Sequence, residues 1–223
     1  AVGLGEDFLY ICCMSPFISI IIPFYGTADP VLLQRCLDSI RRQGMEEGSY
    51  EIIVVDDNGK GLGGARNQGI RQATGTYLMF VDADDYLFPN LSYCFPYLLK
   101  YTPDVCSFQM CEVNRPGVIP QSFNYKWEVY ESGAEYMSKN NFMGTAWRHF
   151  FSRSFLNIHG LAFAESCFHE DEDFVAKAYC LASTTLITDY PVYAYFRSSS
   201  SIIHERALQI RLKRLNDFRG MLY

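Results

Sequence analysis

The sequence lacks the patterns by which small metal-binding and disulfide-rich domains are recognised. Its 223 residues include eight cysteines, but they form no C-x-x-C pair and no Cys/His spacing typical of a zinc site. Most of these cysteines fall in apolar segments, where a free thiol behaves as a small hydrophobic residue. We therefore expect neither a zinc site nor a disulfide framework, and a reducing compartment such as the cytoplasm is the expected setting.

A long basic run and a long uninterrupted apolar segment are also missing. The net charge of −6, without an extended Lys/Arg run, excludes the basic surface by which proteins bind nucleic acid. Residues 8–25 carry no charge, but Pro16 and Pro23 interrupt them, and Glu6 and Asp7 stand where a secretory leader carries positive charge. This stretch predicts a buried strand and not a targeting segment.

The first 85 residues contain an alternation of strand and helix patterns. Residues 17–24, 51–55 and 77–81 are apolar runs of strand length, as expected for strands buried on both faces of a sheet. Asp29-Pro30 starts one predicted helix, and residues 65–73 predict another. This order predicts a parallel, doubly wound α/β sheet. Further along, the predicted elements are helices at 91–100, 133–140 and 171–182 and strands at 105–113 and 192–196.

Polar residues follow each of the first three predicted strands. They are Tyr25, then Asp56 and Asp57, then Asp82, Asp84 and Asp85. Because ligands of such sheets bind beyond the carboxyl ends of the strands, we expect these side chains to face one crevice. Closely spaced carboxylates repel one another unless a cation lies between them, and oxygen ligands favour Mg²⁺ or Mn²⁺. The alternative interpretation is an acidic loop that caps a helix starting near Asn90.

A second acidic motif precedes an apolar helix in the second half of the chain. It consists of Glu170, Asp171, Glu172 and Asp173. Acidic residues at a helix start complement the helix dipole, each contributing about 0.3 to 1 kcal/mol. A carboxylate in this place is also suited to accept a proton from a substrate hydroxyl. The spacing alone supports both interpretations equally.

Four motifs, taken together, resemble a known enzyme family. The segments ISIIIPFYG (18–26), EIIVVDDNG (51–59), GGARNQGIRQATGTYLMFVDADD (63–85) and HEDEDF (169–174) are similar, in order and context, to the inverting family 2 glycosyltransferases of GT-A fold. The resemblance spans about two thirds of the chain. It implies a Rossmann-like nucleotide-binding sheet with helices on both faces and a smaller C-terminal acceptor region. The nucleotide-sugar half would cover residues 15–90, and the acceptor half residues 91–223.

The resemblance implies a role for individual residues. The residues implied to bind the nucleotide, which is expected to be UDP, are Pro23, Tyr25, Asp56, Asp57, Arg66, Asn67 and Asp82. The residues implied to bind Mn²⁺ or Mg²⁺ are Asp84 and Asp85 and, less specifically, His204. Asp171 corresponds to the general base, and Glu170, Trp147 and Arg197 to the diphosphate or acceptor region.

The activity implied is transfer of a sugar from a UDP-sugar to an acceptor hydroxyl, with inversion, in the synthesis of cell-surface glycans. The acceptor would be a glycan or glycolipid, and the enzyme would act in the cytoplasm, at the inner face of the membrane. The basic residues 206–219 could contact an anionic membrane surface, although an ordinary amphipathic helix explains them as well.

The connection after Asp57 departs from the family and supports a rival interpretation. Residues 58–64 replace a longer connection in the family, and Gly59, Gly61 and Gly64 match the G-x-G-x-x-G fingerprint of NAD-dependent oxidoreductases. Against this, Asp56 and Asp57 would lie beside the pyrophosphate with no cation to offset them. A third interpretation is a non-catalytic nucleotide-sugar-binding protein of the same fold.

Overall fold

A computed structural model describes residues 15–24, 29–56, 59–115, 124–197, 212–214 and 216–217. The strands are β1 (Ile18–Phe24), β2 (Tyr50–Asp56), β3 (Tyr77–Phe80), β4 (Tyr86–Leu87), β5 (Val105–Val113), β6 (Trp127–Tyr130), β7 (His149–Ser152) and β8 (Thr185–Phe196). The helices are α1 (Pro30–Arg41), α2 (Gly61–Gln72), α3 (Phe95–Tyr101), α4 (Gly133–Lys139), α5 (Arg153–His159) and α6 (Glu170–Leu181). Two 3₁₀ turns cover Leu91–Cys94 and Ala146–Arg148.

One eight-stranded sheet runs through the molecule in the order β2-β1-β3-β7-β5-β8-β4, with β6 also paired to β8. β1 lies between β2 and β3 and is parallel to both. β7 is antiparallel to β3 and to β5, and β5 is parallel to β8. The predicted α/β class is confirmed, and the first three strands form the predicted parallel unit.

Alternate side chains of the central strands pack on opposite faces of the sheet, as the two-residue repeat of a strand requires. In β3, Tyr77 and Met79 pack with α1 and α3, whereas Leu78 and Phe80 pack with α2 and α6. Helices therefore cover both faces. This explains why these strands are apolar throughout and not alternating, the pattern by which they were predicted.

Local signals start the first helix where the sequence places it. The Asp29 side chain accepts a hydrogen bond from the Val31 N–H at 2.8 Å, and Pro30 occupies the first turn, where its missing N–H costs nothing. The second helix packs closely on the sheet, because a Cβ on Gly69 would meet Ile21 Cγ2 at 2.3 Å. The second helix therefore lies directly against β1.

Some predicted boundaries were wrong. α2 begins at Gly61 and not at residue 65, and β8 begins at Thr185 and not at residue 192. The predicted helix over 91–100 divides into a 3₁₀ turn and α3, with Pro96 in the first turn of α3. Nothing in the sequence pattern predicted β4, β7 or α5. Tyr25, Asp57 and His204 lie outside the described residues, as do most of residues 206–219.

No helix in the described ranges is long and apolar enough to cross a membrane.

Candidate active site at the carboxyl ends of the central strands

The acidic residues after β3 lie at the same edge of the sheet as the carboxyl ends of β1 and β2. In register, Phe24 of β1 lies opposite Asp56 of β2, and Ile21 of β1 lies opposite Phe80 of β3, two residues before Asp82. Pro23 is buried within β1, whereas Asp56 is exposed at the end of β2. The structure therefore places three of the predicted nucleotide-binding positions, Pro23, Asp56 and Asp82, along one edge.

Asp85 is a buried carboxylate that protein donors hold in place. Only 1% of the residue is exposed; its Oδ2 accepts a hydrogen bond from the Tyr193 hydroxyl and its Oδ1 from the Phe196 N–H, both at 2.7 Å. The Tyr193 oxygen in turn accepts from the Asp82 N–H at 3.1 Å. Burial and then the charge of Asp82 raise the pKa of Asp85 well above its usual range. Asp85 thus connects residues 82–85, which follow β3, to β8.

Asp84 is positioned through its backbone by a residue that the sequence analysis missed. Arg35 of α1 donates from Nη2 to the Asp84 carbonyl oxygen, and its guanidinium lies 4.0 Å from the centre of the Phe196 ring. Burial and then the charge of Asp82 raise the pKa of the Asp84 carboxyl. No local pattern could have identified Arg35, because its partner lies 49 residues further along the chain.

The donor atoms at Asp84 and Asp85 suit a divalent cation that phosphates help to bind. In the part of the chain that the structure describes, no three His, Cys, Asp or Glu side chains form a group able to hold a metal. Mg²⁺ and Mn²⁺ at phosphate sites commonly use only one or two carboxylates, with substrate oxygens and water as the other ligands. A cation would also offset the burial and like-charge repulsion that raise both pKa values. Asp84 therefore fits as a direct ligand, whereas Asp85, whose two oxygens accept hydrogen bonds from Tyr193 and Phe196, fits as the carboxylate that supports it. The metal-binding role of both stays a prediction.

Arg66 joins the two acidic motifs in one buried ion cluster. Its side chain is 2% exposed, its Nη2 lies 3.1 Å from Asp82 Oδ1, and its Nη1 lies 2.9 Å from Glu170 Oε1. Nη1 also donates to Asp171 Oδ1. Burial lowers the pKa of Arg66, but the surrounding carboxylates, Asp171 first, more than offset this and raise it above its ordinary value. One guanidinium thus connects the end of β3 with the first turn of α6.

The four acidic residues at the start of α6 have different environments. Glu170 and Asp171 contact Arg66, whereas the Glu172 side chain is 53% exposed and Asp173 pairs with Lys177 at 2.6 Å. Complementing the helix dipole is enough to explain Glu172 and Asp173. Glu170 and Asp171 face Arg66 near the strand ends, which is the arrangement that the catalytic interpretation requires.

Asp171 has the surroundings of a general base. Its Oδ2 accepts a hydrogen bond from the Ala146 N–H at 2.9 Å, and its Oδ1 contacts Arg66. Burial raises the pKa of Asp171 and Arg66 opposes the shift, with a net value of about 7. A base with a pKa near neutrality combines a large ionised fraction at pH 7 with good proton affinity.

Asn67 binds the protein backbone in this structure. Its amide nitrogen donates to the Phe163 carbonyl oxygen at 2.9 Å, and its amide oxygen accepts from the Phe163 N–H at 2.8 Å. These two bonds attach the loop between α5 and α6 to α2. The predicted place of Asn67 in the nucleotide pocket stays a prediction.

The short glycine-rich connection packs against the protein's own backbone. The Ser166 N–H donates to the Lys60 carbonyl oxygen at 2.8 Å, and a Cβ on Gly63 would meet the Ala164 carbonyl oxygen at 2.1 Å. In a dinucleotide-binding fold, the glycines leave room for the cofactor pyrophosphate. Here the loop that contains Ala164 and Ser166 lies beside Gly61 and Gly63, so the protein's own backbone occupies part of the space that a pyrophosphate would need, which argues against the NAD interpretation.

Trp147 and Arg197 lie around the same end of the sheet, but their side chains contact protein groups. Trp147 is buried and stacks on the Tyr193 ring with centroids 4.6 Å apart and on the Tyr195 ring at 5.7 Å. Arg197 is exposed, and its Nε lies 2.9 Å from Glu112 Oε2. Trp147 therefore supports Tyr193, which holds Asp85, while the diphosphate role of Arg197 stays a prediction.

The sequence matches the model of a known protein family. The model described as glycosyl transferase family 2 matches residues 19–60 and 58–157. The two matched ranges meet at residues 58–60, within the connection that the sequence predicts to be shorter than in the family. The predicted family is confirmed.

Curated relatives carry related names. An uncharacterized glycosyltransferase, EpsJ, from Bacillus subtilis (strain 168) is 29% identical over 227 residues, which covers 85% of this chain and 63% of EpsJ. A poly(ribitol-phosphate) beta-glucosyltransferase from Bacillus spizizenii is 37% identical over 97 residues, covering 31% of this chain and 15% of that protein. The chain spans less than two thirds of the length of either relative.

Solved structures share the fold. Residues 1–349 of S. aureus TarS in complex with UDP-GlcNAc superpose with a TM-score of 0.70 at 22% identity, covering 86% of this chain and 61% of that one. A mannosyltransferase, PcManGT from Pyrobaculum calidifontis, in complex with GDP-Man and Mn²⁺, gives a TM-score of 0.55 at 16% identity, covering 94% of this chain and 64% of that one. At these identities the likeness shows a common GT-A type fold.

Proposed function

Because the chain belongs to glycosyl transferase family 2, we propose that it transfers a sugar from a nucleotide-diphosphate sugar to an acceptor hydroxyl, with inversion at the anomeric carbon. The observation that carries the proposal is the Arg66 cluster, which brings Asp82 at the end of β3 together with Asp171 of α6. Under this proposal, the donor-binding carboxylate and the proton-accepting carboxylate contact different nitrogens of one guanidinium.

The donor is proposed to lie along the edge formed by β1, β2 and β3. Asp82 follows β3 at this edge and would contact the ribose, with Arg66 beside it. UDP is the expected nucleotide, a choice supported by the TarS complex with UDP-GlcNAc. Asp84 and Asp85 would hold a Mn²⁺ or Mg²⁺ ion, which when bound supplies charge neutralisation to the departing diphosphate.

The acceptor is proposed to approach from the side of α6. Asp171 would accept the proton of the acceptor hydroxyl as that oxygen attacks the anomeric carbon opposite the diphosphate, which gives inversion in a single displacement. Ala146 and Arg66 hold the two carboxylate oxygens and so restrict the orientation of the base. The relative that acts on poly(ribitol-phosphate) supports a cell-surface glycan or glycolipid as the acceptor.

A ligand panel tests the donor and the metal together. We expect UDP-glucose or UDP-N-acetylglucosamine, at about 100 times its Kd and with Mn²⁺, to stabilise the fold by about 2.7 kcal/mol and raise the melting temperature by about 5 to 11 °C. EDTA should remove most of this shift and should stop the slow release of UDP, measured by a coupled assay.

GDP-mannose and NAD serve as the comparison ligands in that panel. Stabilisation by NAD alone would overturn the proposal in favour of an oxidoreductase. Stabilisation by a UDP-sugar without any release of UDP, with glycan acceptors present, would instead identify a non-catalytic binding protein.

The pH dependence of turnover follows from Asp171. The base acts only when ionised, so kcat/KM should rise with pH up to the pKa of about 7 and fall about tenfold for each unit below it. Initial rates of UDP release between pH 5.5 and 9 measure this acid limb of the pH–rate profile. A rate that stays constant down to pH 5.5 would show that Asp171 is not the proton acceptor.

A further inference from the structure

His149 occupies a fully hydrogen-bonded, buried position close to the candidate base. The residue is 1% exposed and lies at the start of β7. Its Nδ1 is 2.9 Å from the Thr145 carbonyl oxygen, and its Nε2 is 3.1 Å from the Tyr179 hydroxyl. A carbonyl oxygen can only accept, so Nδ1 carries the proton and Nε2 accepts a hydrogen bond from Tyr179. The imidazole therefore connects two elements in a single tautomer.

The two elements that His149 connects both belong to the surroundings of Asp171. Thr145 precedes the 3₁₀ turn whose first residue, Ala146, donates its N–H to Asp171 Oδ2 at 2.9 Å. Tyr179 lies on α6, the helix whose first turn contains Asp171. A closed chain of contacts thus runs from α6 through Tyr179, His149, Thr145 and Ala146 back to α6.

The ring is neutral under the conditions in which the base would act. Burial, with a smaller contribution from the charge of Arg148, lowers the pKa of His149 to about 3. A neutral ring with one proton can make these two hydrogen bonds together, whereas a doubly protonated ring would lose the bond from Tyr179. His149 is therefore suited to hold a turn in place and not to transfer protons.

We propose that His149 is a positioning residue for the Asp171 base: through the Thr145 carbonyl it fixes the turn whose Ala146 N–H orients Asp171 Oδ2. This inference rests on the proposed function, in which Asp171 accepts the proton. Loss of the Ala146 hydrogen bond would leave the carboxylate less ionised and less well directed at the acceptor oxygen.

Three substitutions separate positioning from simple packing. His149→Leu removes both hydrogen bonds at similar volume, and we expect kcat for UDP release from a UDP-sugar to fall about 10- to 100-fold, with KM changed less than about twofold. The acid limb of the rate profile should move to higher pH, because the Ala146 hydrogen bond lowers the pKa of Asp171. His149→Asn keeps a donor at the place of Nδ1 and should restore most of the rate.

Tyr179→Phe covers the case in which His149→Leu does not fold. It removes only the hydroxyl, and we expect a smaller fall in kcat with the same direction of the pH shift. A lower melting temperature with unchanged kcat and an unchanged acid limb in the folded variants would show that His149 only packs, and would overturn the inference.

A measurement without substrate separates this inference from the proposed function. The ¹⁵N chemical shifts of the wild-type His149 ring should show a protonated Nδ1 and an unprotonated Nε2 at pH 5 and at pH 8. A proton on Nε2 at either pH would overturn the inference, whatever the enzyme transfers. If the shifts agree but Asp171→Asn retains full turnover, the proposed function fails and His149 has no base to position.

Discussion

Asp171→Asn is expected to lower the rate of sugar transfer by about 10²- to 10⁴-fold, the usual contribution of a general base. The amide oxygen of asparagine can still accept the Ala146 hydrogen bond, so the fold of the site should survive. The substitution removes the proton-accepting oxygen that contacts Arg66. Because the proposed donor site lies on the β3 side of Arg66, the Kd for UDP with Mn²⁺ should change less than about threefold. Release of UDP and calorimetric binding measure the two effects.

Glu172→Gln provides the matched control for Asp171→Asn. Glu172 is in the same helical turn and loses the same charge on substitution, but its side chain is 53% exposed and its Oε1 lies 3.2 Å from His169 Nδ1. We expect its turnover to stay within about twofold of the wild type. Equal losses of turnover in both variants would show that the negative charge at the start of the helix matters, and not base catalysis by Asp171. Full turnover in Asp171→Asn would show that Asp171 is not the general base.

Arg66→Met is expected to destabilise the fold by about 3 to 5 kcal/mol and to abolish turnover. Arg66 is the buried partner of Asp82, Glu170 and Asp171, and removing it leaves these carboxylates without their shared cation. Arg66→Lys keeps the positive charge, but a single ammonium group cannot contact both Asp82 and Asp171 as the guanidinium does. This variant should therefore recover part of the stability and little of the activity. Urea unfolding at pH 8 measures the free energy of unfolding.

The loss of folding stability in Arg66→Met should depend on pH. Burial already raises the pKa of Asp171 in the folded wild type, and loss of Arg66 removes a contribution that lowers it. A carboxyl with a raised folded pKa stabilises the fold at low pH, and this stability is lost as the pH rises through that pKa. The variant should therefore lose less stability at pH 5.5 than at pH 8. Arg71→Met, at an exposed position of the same helix, should change stability by less than about 0.5 kcal/mol at either pH.

The fold of the first half could be predicted because its signals are local. Apolar runs of strand length, Asp29-Pro30 at a helix start and acidic residues directly after β3 each depend on neighbouring residues. β7 could not be predicted in the same way. It is four residues long and lies between β3 and β5 in the sheet, so its conformation depends on pairing partners far along the chain.

The glycine-rich connection shows how a local pattern can mislead. Gly59, Gly61 and Gly64 satisfy a dinucleotide-binding spacing, and the spacing alone cannot show what lies beside them. In the folded chain, the Ala164 carbonyl oxygen and the Ser166 N–H lie against this connection. Gly59 and Gly61 have positive φ angles of 76° and 73°, which glycine adopts without strain, and Gly63 leaves room for the Ala164 carbonyl oxygen.

The α/β class, the family and the edge of the sheet where the acidic residues meet could all be predicted from the sequence, because parallel strands that end in polar residues must bring those residues together. Which of the acids share Arg66 depends on the tertiary structure. Glu170 lies 104 residues from Arg66 and Asp171 lies 105, and nothing in the spacing of the four acids separates the pair that contacts Arg66 from the pair that does not. The Ala146 N–H and the tautomer of His149 likewise depend on how the 3₁₀ turn packs against α6. Such contacts are set by the burial of whole elements against one another, which a local pattern does not record.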